Sequence, residues 1–165
     1  MANQLVPILY DGPMRISAKA DYAVRLAAEL AAAPPKTPVT GPALATAQDS
    51  PLAFCENILG SLRTAGIVQS KRGAEGGYLL AKPAADVTVA DVIRAVDGPL
   101  GAVHGEAPED LAYPGAAARL VDVWIAVRAS VRDVLERVTL ADLAAGRLPA
   151  RVEKLSSSPD ARRRR

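Results

Sequence analysis

Residues 49–83 read DSPLAFCENILGSLRTAGIVQSKRGAEGGYLLAKP, and this stretch decides the fold. Leu52, Cys55, Ile58, Leu59 and Leu62 recur every three or four residues, which predicts a helix carrying those five side chains inward. Asp49-Ser50-Pro51 places cap-forming residues and a proline at its start. Gly66 suits a left-handed helix end. Ile67–Ser70 then reads as a strand, Gly73–Gly77, with three glycines in five residues, as a loop, and Tyr78–Ala81 as the returning strand. The result is a helix followed by a hairpin with Lys71 and Arg72 just before its tip.

Working outward, Ser17–Ala33 shows helical periodicity through Ala20, Ala23, Val24, Ala27 and Leu30, with Ser17 as cap and Pro34-Pro35 as stop. Thr40-Gly41-Pro42 starts a short second helix through Ala47. Three helices followed by a two-stranded hairpin is the element order of a winged helix-turn-helix, a mainly α fold with a small β wing. Beyond it, Thr88 and Asp91 form a near capping box for a helix ending at Val96. Residues 99–114 lack apolar periodicity and read as a long loop. Gly115–Val138 is the longest predicted helix, and Leu120, Trp124, Val127, Val131, Val134 and Val138 mark a heptad seam along it. Thr139 caps a last short helix, Leu140–Ala145, after which the chain is polar and basic with no core-facing pattern. The expected organisation is an extension at 1–13, a DNA-binding domain at 14–83, a linker helix, effector loop and dimerisation helix at 84–146, and a disordered basic tail at 147–165.

The chain has 165 residues, 50% of them apolar but only 4% aromatic, so one domain with a core of Ala, Val, Leu and Ile is expected. The net charge of +2 conceals segments of opposite sign, +3 over 14–82, −5 over 83–146 and +5 over 147–165. An anionic partner would therefore meet the first half or the tail, where Arg162–Arg165 could form a nucleic-acid arm or merely a solubilising end. No uncharged run is long enough to span a membrane, and residues 1–13 lack the basic start and apolar run of a secretory signal, so a cytoplasmic protein is expected. One cysteine and one histidine exclude an internal disulfide, the usual zinc constellations and an assembled nucleophile–base pair. An enzyme is the least favoured class.

In a helix-turn-helix the second helix of the pair enters the major groove. With the apolar face inward, Ala53, Phe54, Glu56 and Asn57 are exposed near the start of that helix. Asn57 can pair with adenine and Glu56 can accept from cytosine, while Arg63, further along, suits a phosphate. Lys71 and Arg72 stand beside the loop that contains Gly76 and Gly77, and a narrow minor groove favours an inserted Arg. These glycines lie between two strands, which argues against a nucleotide-phosphate cradle. The alternative is a solvated surface helix. The heptad seam could likewise cover the domain's own core, but the short helices already close that core, so a homodimer is expected, with Trp124 as its anchor.

The segments MRISAKADYAVRLAAEL, from Met14, and ENILGSLRTAGIVQSKRGAEGGYLLAKPAADVTVADVIRAVDG, from Glu56, resemble the Rrf-two family of winged-helix transcription regulators. The resemblance implies a homodimeric regulator, here expected to be a repressor, on palindromic double-stranded DNA. It places Ala53, Glu56 and Asn57 at major-groove positions and Arg72 at the minor-groove position of the wing. Ala53 stands where a hydroxyl residue is common, and Ala74-Glu75 where Pro-Gly is common. Cluster-binding members hold iron and sulfur with three cysteines in the loop before the dimer helix. Here that loop has no cysteine and offers only His104, Glu106, Glu109 and Asp110, so a cluster-free member without cofactor or metal is expected. Its effector would be a small molecule, a protein or a thiol change. Cys55, between Leu52 and Ile58, is expected to pack in the core, with a redox sensor as the alternative. A second alternative is an interaction module that contacts a metabolic enzyme through the acidic segment.

Overall fold

A computed structural model of the chain describes residues 16–163, so the extension expected at 1–13 lies outside the described residues. Helix α1 (Ala18–Ala32) begins where Ser17 accepts from the Ala20 amide and ends before the two prolines. Helix α2 (Gly41–Ala47) begins at Thr40, whose hydroxyl accepts from the Ala43 amide, with Pro42 in the first turn. Helix α3 (Leu52–Thr64) follows, then strands β1 (Val68–Lys71) and β2 (Gly77–Leu80), paired antiparallel from Val68–Leu80 to Lys71–Gly77. Ala65 ends α3. Gly66 there adopts φ 71° and donates to the Arg63 carbonyl, while the Ile67 amide reaches back to Leu62. That pair of bonds turns the chain directly into β1.

Helix α4 (Val89–Asp97) starts with a complete capping box, in which Thr88 accepts from the Asp91 amide and Asp91 accepts from the Thr88 amide. Helix α5 spans Leu120–Leu135, α6 Leu140–Ala144 and α7 Ala150–Ser157. Thr139 and Asp142 build a second capping box at α6. The two caps lie side by side, because the Val89 amide donates to Val138 and the Leu140 amide to Val87.

The main core is built from Leu26, Leu44, Ile58, Leu59 and Leu62, joined by Val87, Val92 and Leu140. The boundary expected at residue 83 therefore does not divide the core. The short helices do not close it alone; α1 packs on α3 with one face and on α4 and α6 with another, where Ala20, Ala23 and Ala27 permit close approach. A smaller cluster, Ala20, Val89, Ala90, Ile93, Leu100 and Val138, continues it.

Several sequence expectations need correction. Pro51 is itself the cap residue of α3 and supplies no side-chain bond, and the Ser50 hydroxyl is buried with no partner among the described residues. Asp49 takes φ 46°, a turn conformation that removes it from capping. Leu52 is 39% exposed because the first residue of the helix extends past the packed interior. The long helix begins at Leu120, since Gly115 at φ 59° breaks the path into a separate short turn. Val138 lies beyond the helix end and is buried in the smaller cluster, so it is not part of the seam. The segment read as a structureless tail contains α7, whose Val152 rests on the smaller cluster and whose Arg151 pairs with Asp133 on α5.

Candidate nucleic-acid interface

Helix α3 buries Cys55, Ile58, Leu59 and Leu62 completely and turns Ala53, Glu56, Asn57 and Arg63 outward. Phe54 departs from expectation. One turn before Ile58 it shares the inner side of the helix, half-buried, with its ring edge-on to Tyr22 at a centroid distance of 5.3 Å. Of the four residues expected to be exposed near the helix start, only Ala53, Glu56 and Asn57 are outward. Arg25 stacks 4.1 Å from the Tyr22 centroid and donates to the Gln48 side chain at 2.7 Å and its carbonyl at 3.1 Å. Gln48 in turn donates to Glu29 at 2.5 Å, so this polar group fixes the end of α2 against α1 and sets the platform on which α3 sits.

The wing is attached by an element that the sequence reading missed. Val39 and Tyr78 exchange two backbone hydrogen bonds of 2.8 Å, tying the α1–α2 connection to β2. A single residue directly after Pro34-Pro35-Lys36-Thr37-Pro38 carries no strand periodicity, which is why it escaped notice. Gly77 is part of β2, not of the tip; it lies against the Val39 carbonyl, and a Cβ there would stand 2.6 Å from that oxygen. Gly76 donates to the Gly73 carbonyl at 2.9 Å and closes the turn. Both glycines shape the wing through their backbones. Lys71 ends β1, Arg72 follows it, and both are exposed. Among the described residues none of Lys36, Arg63, Lys71 and Arg72 takes part in an ion pair, so each is available to an external anion.

The loop at 99–114 is more ordered than a solvated acidic run. Val103 and Glu106 exchange two backbone bonds of 3.0 Å around His104 and Gly105, both at positive φ. Pro108 is fully buried, and Gly101 lies against the stem of Arg128 on α5. The Arg128 guanidinium, with its side chain only 14% exposed, bonds Glu109 at 2.6 Å. That bond holds the Glu109 carboxyl below its ordinary value. Asp133 is lowered in the same way by hydrogen bonds from Arg137 and Arg151, and Asp142 by the Thr139 amide and hydroxyl.

A carboxylate depressed in the folded state contributes stability above its unfolded pKa, and that contribution is lost as pH falls through the folded value. The loop and α7 are therefore expected to stay fastened through the ordinary carboxylate range and to loosen below it. Amide exchange at 99–111 and 150–157 during acid titration checks this, and Glu109→Gln should loosen the loop alone at neutral pH.

None of the helices among the described residues is long and apolar enough to cross a membrane. The model of the Rrf2 family, described as "Iron-dependent Transcriptional regulator", matches residues 16–146. The chain belongs to the Rrf2 family. It is 50% identical, over 87% of its length and 89% of the relative's, to a Mycobacterium tuberculosis protein whose name assigns it provisionally to the HTH-type transcriptional regulators. To the HTH-type transcriptional regulator CymR of Bacillus subtilis it is 34% identical over 79% of this chain and 90% of the relative. The solved structure of that CymR, titled the global cysteine regulator, superposes with a TM-score of 0.70 over 81% of this chain and 98% of its own. The T. potens IscR structure gives 0.66 at 32% identity, over 81% and 88%. The Rrf2 chain is thus a DNA-binding transcriptional regulator with a winged helix-turn-helix, and not an enzyme.

The family description implies iron, and the residues of this Rrf2 chain do not fit it. Residues 99–114 contain no thiol, Glu109 is engaged by Arg128, and Cys55 is fully buried in the main core. Among the described residues no three His, Cys, Asp or Glu side chains converge as a metal site would require.

Proposed function

We propose that the protein reads a palindromic operator as a homodimer, without an iron–sulfur cluster, and represses the gene it covers. The observation that carries this reading is that Ala53, Glu56 and Asn57 on α3 and Lys71 and Arg72 at the end of β1 are all exposed, on two elements that pack against each other. Asn57 and Glu56 would contact base edges and Arg72 the minor groove, with Arg63 on phosphate. The dimer would form along α5, where Leu120, Trp124, Val127, Val131 and Val134 are all half-buried, none fully, and Val123 is 50% exposed. An apolar helix with no fully buried residue favours a partner helix. A dimer seated on a promoter excludes the polymerase without further contacts, which favours repression. The fully buried Cys55 favours packing over redox sensing.

Selection from random duplexes tests the reading. A two-fold symmetric sequence is expected from protein that is colourless after anaerobic purification, with affinity unaffected by an iron chelator. A visible chromophore, with binding lost on chelation, would refute the cluster-free assignment. On the selected duplex, Asn57→Ala should relax preference at one base position per half-site by about 1–3 kcal/mol. Arg63→Ala should instead weaken binding to all sequences equally.

A further inference from the structure

The α1–α2 connection and the wing enclose an open cleft of about 400 Å³, lined by Lys36, Thr37, Pro38, Thr40, Lys71, Ala74, Glu75 and Gly76. Its two sides are one rigid body, because the Val39–Tyr78 backbone pair lies directly beside it. Lys36 holds φ 63°, a left-handed conformation uncommon for a side-chain-bearing residue, in the turn closed by the bond from the Thr37 amide to Pro34. Both lysines are exposed and neither is in an ion pair among the described residues. The cleft therefore presents two free ammonium groups, the Thr37 and Thr40 hydroxyls and one opposing carboxylate, Glu75, beside the wing's Arg72.

We propose that this cleft is a binding site for a backbone phosphate of duplex DNA, with Lys36 and Lys71 as its cations and Thr37 as a hydroxyl donor. It rests on the DNA-binding reading and adds to it a contact from the α1–α2 connection, through Lys36 and Thr37, facing the wing across the cleft. A phosphate held between wing and α1–α2 connection would fix how deeply Arg72 enters the adjacent groove, since phosphate contacts set register while base contacts set sequence. Glu75 opposes the anion, so the site is weaker than its cation count suggests.

The test is the salt dependence of binding to a random-sequence duplex and to a selected operator. Each neutralised phosphate contributes about 0.9 to the slope of log affinity against log salt. Lys36→Ala should reduce that slope by about 1 on both duplexes and leave the selected sequence unchanged. Glu75→Gln should tighten both complexes. Lys154→Ala, on α7 far along the chain from the wing, should leave the slope at its wild-type value and serves as the charge control. If the wild type binds both duplexes and Lys36→Ala keeps the full slope, or loses no more of it than Lys154→Ala, the cleft assignment is overturned while the DNA reading stands. If the wild type binds neither duplex, the DNA reading falls and the cleft falls with it.

Discussion

Trp124→Glu is expected to leave a folded monomer that no longer holds a palindromic duplex. Trp124 lies on α5, a helix with no fully buried residue, which touches the rest of the chain mainly at α4 and at the Pro108–Asp110 turn. The indole Nε1 is shielded from water and has no acceptor among the described residues, which leaves its bonding incomplete there. A buried tryptophan at an interface centre contributes at least about 2 kcal/mol, and a charge in its place adds desolvation cost. At about 1.4 kcal/mol per decade, dimerisation should weaken by more than tenfold, and operator affinity should fall by about two orders of magnitude. Because α5 meets the core only at its far end, through Leu135 on the smaller cluster, and Trp124 is in neither cluster, circular dichroism and melting temperature should stay near wild type. Val131→Glu, on the same seam, should behave alike. Sedimentation with duplex titration reads both quantities, and a Trp124→Glu dimer of normal affinity would refute the proposed interface.

Gly77→Ala is expected to detach the wing. The residue has φ 150°, and its Cβ would stand 2.6 Å from the Val39 carbonyl oxygen, 2.7 Å from its carbon and 3.1 Å from the Thr40 nitrogen. These are backbone atoms and cannot swing aside. The strain is of order 1–3 kcal/mol, and the simplest relief is rupture of the two 2.8 Å bonds between Val39 and Tyr78. Amide protection at Val39 and Tyr78 should then be lost while α3 keeps its own. Duplex affinity should drop about tenfold as Lys71 and Arg72 lose their fixed position. Gly73→Ala is the comparison: its φ of 109° also strains the backbone locally, but a Cβ there meets open space, so the Val39–Tyr78 bonds and the protection they give should survive. Equal protection at Val39 in Gly77→Ala and wild type would contradict this account of the wing.

How much was legible in the sequence depends on how local each determinant is. Caps and breakers act within one turn, so Ser17, Thr40, Thr88 and Thr139 mark helix starts correctly and Gly66 marks the turn into β1. The inner face of α3 was readable from its spacing, apart from its first turn. Leu52 protrudes because helix ends outrun the core, and Phe54 turns inward because Tyr22, far away in sequence, offers it a ring. The Val39–Tyr78 tether, the Arg128–Glu109 bond and the continuity of the core across residue 83 are long-range pairings. Periodicity carries no trace of such pairings. The same reason hid α7, where a single apolar contact through Val152 and the pairing of Arg151 with Asp133 place a helix that composition alone assigned to a tail.

The central claim is that α3 and the wing together form the DNA-reading face. Hydrogen exchange of the protein alone and bound to a selected duplex tests it most directly. The account expects new protection at residues 52–57, 71–77 and 36–40, with α7 unchanged. Protection confined to 99–111 and α7, with α3 and the wing exchanging as in the free protein, would contradict it.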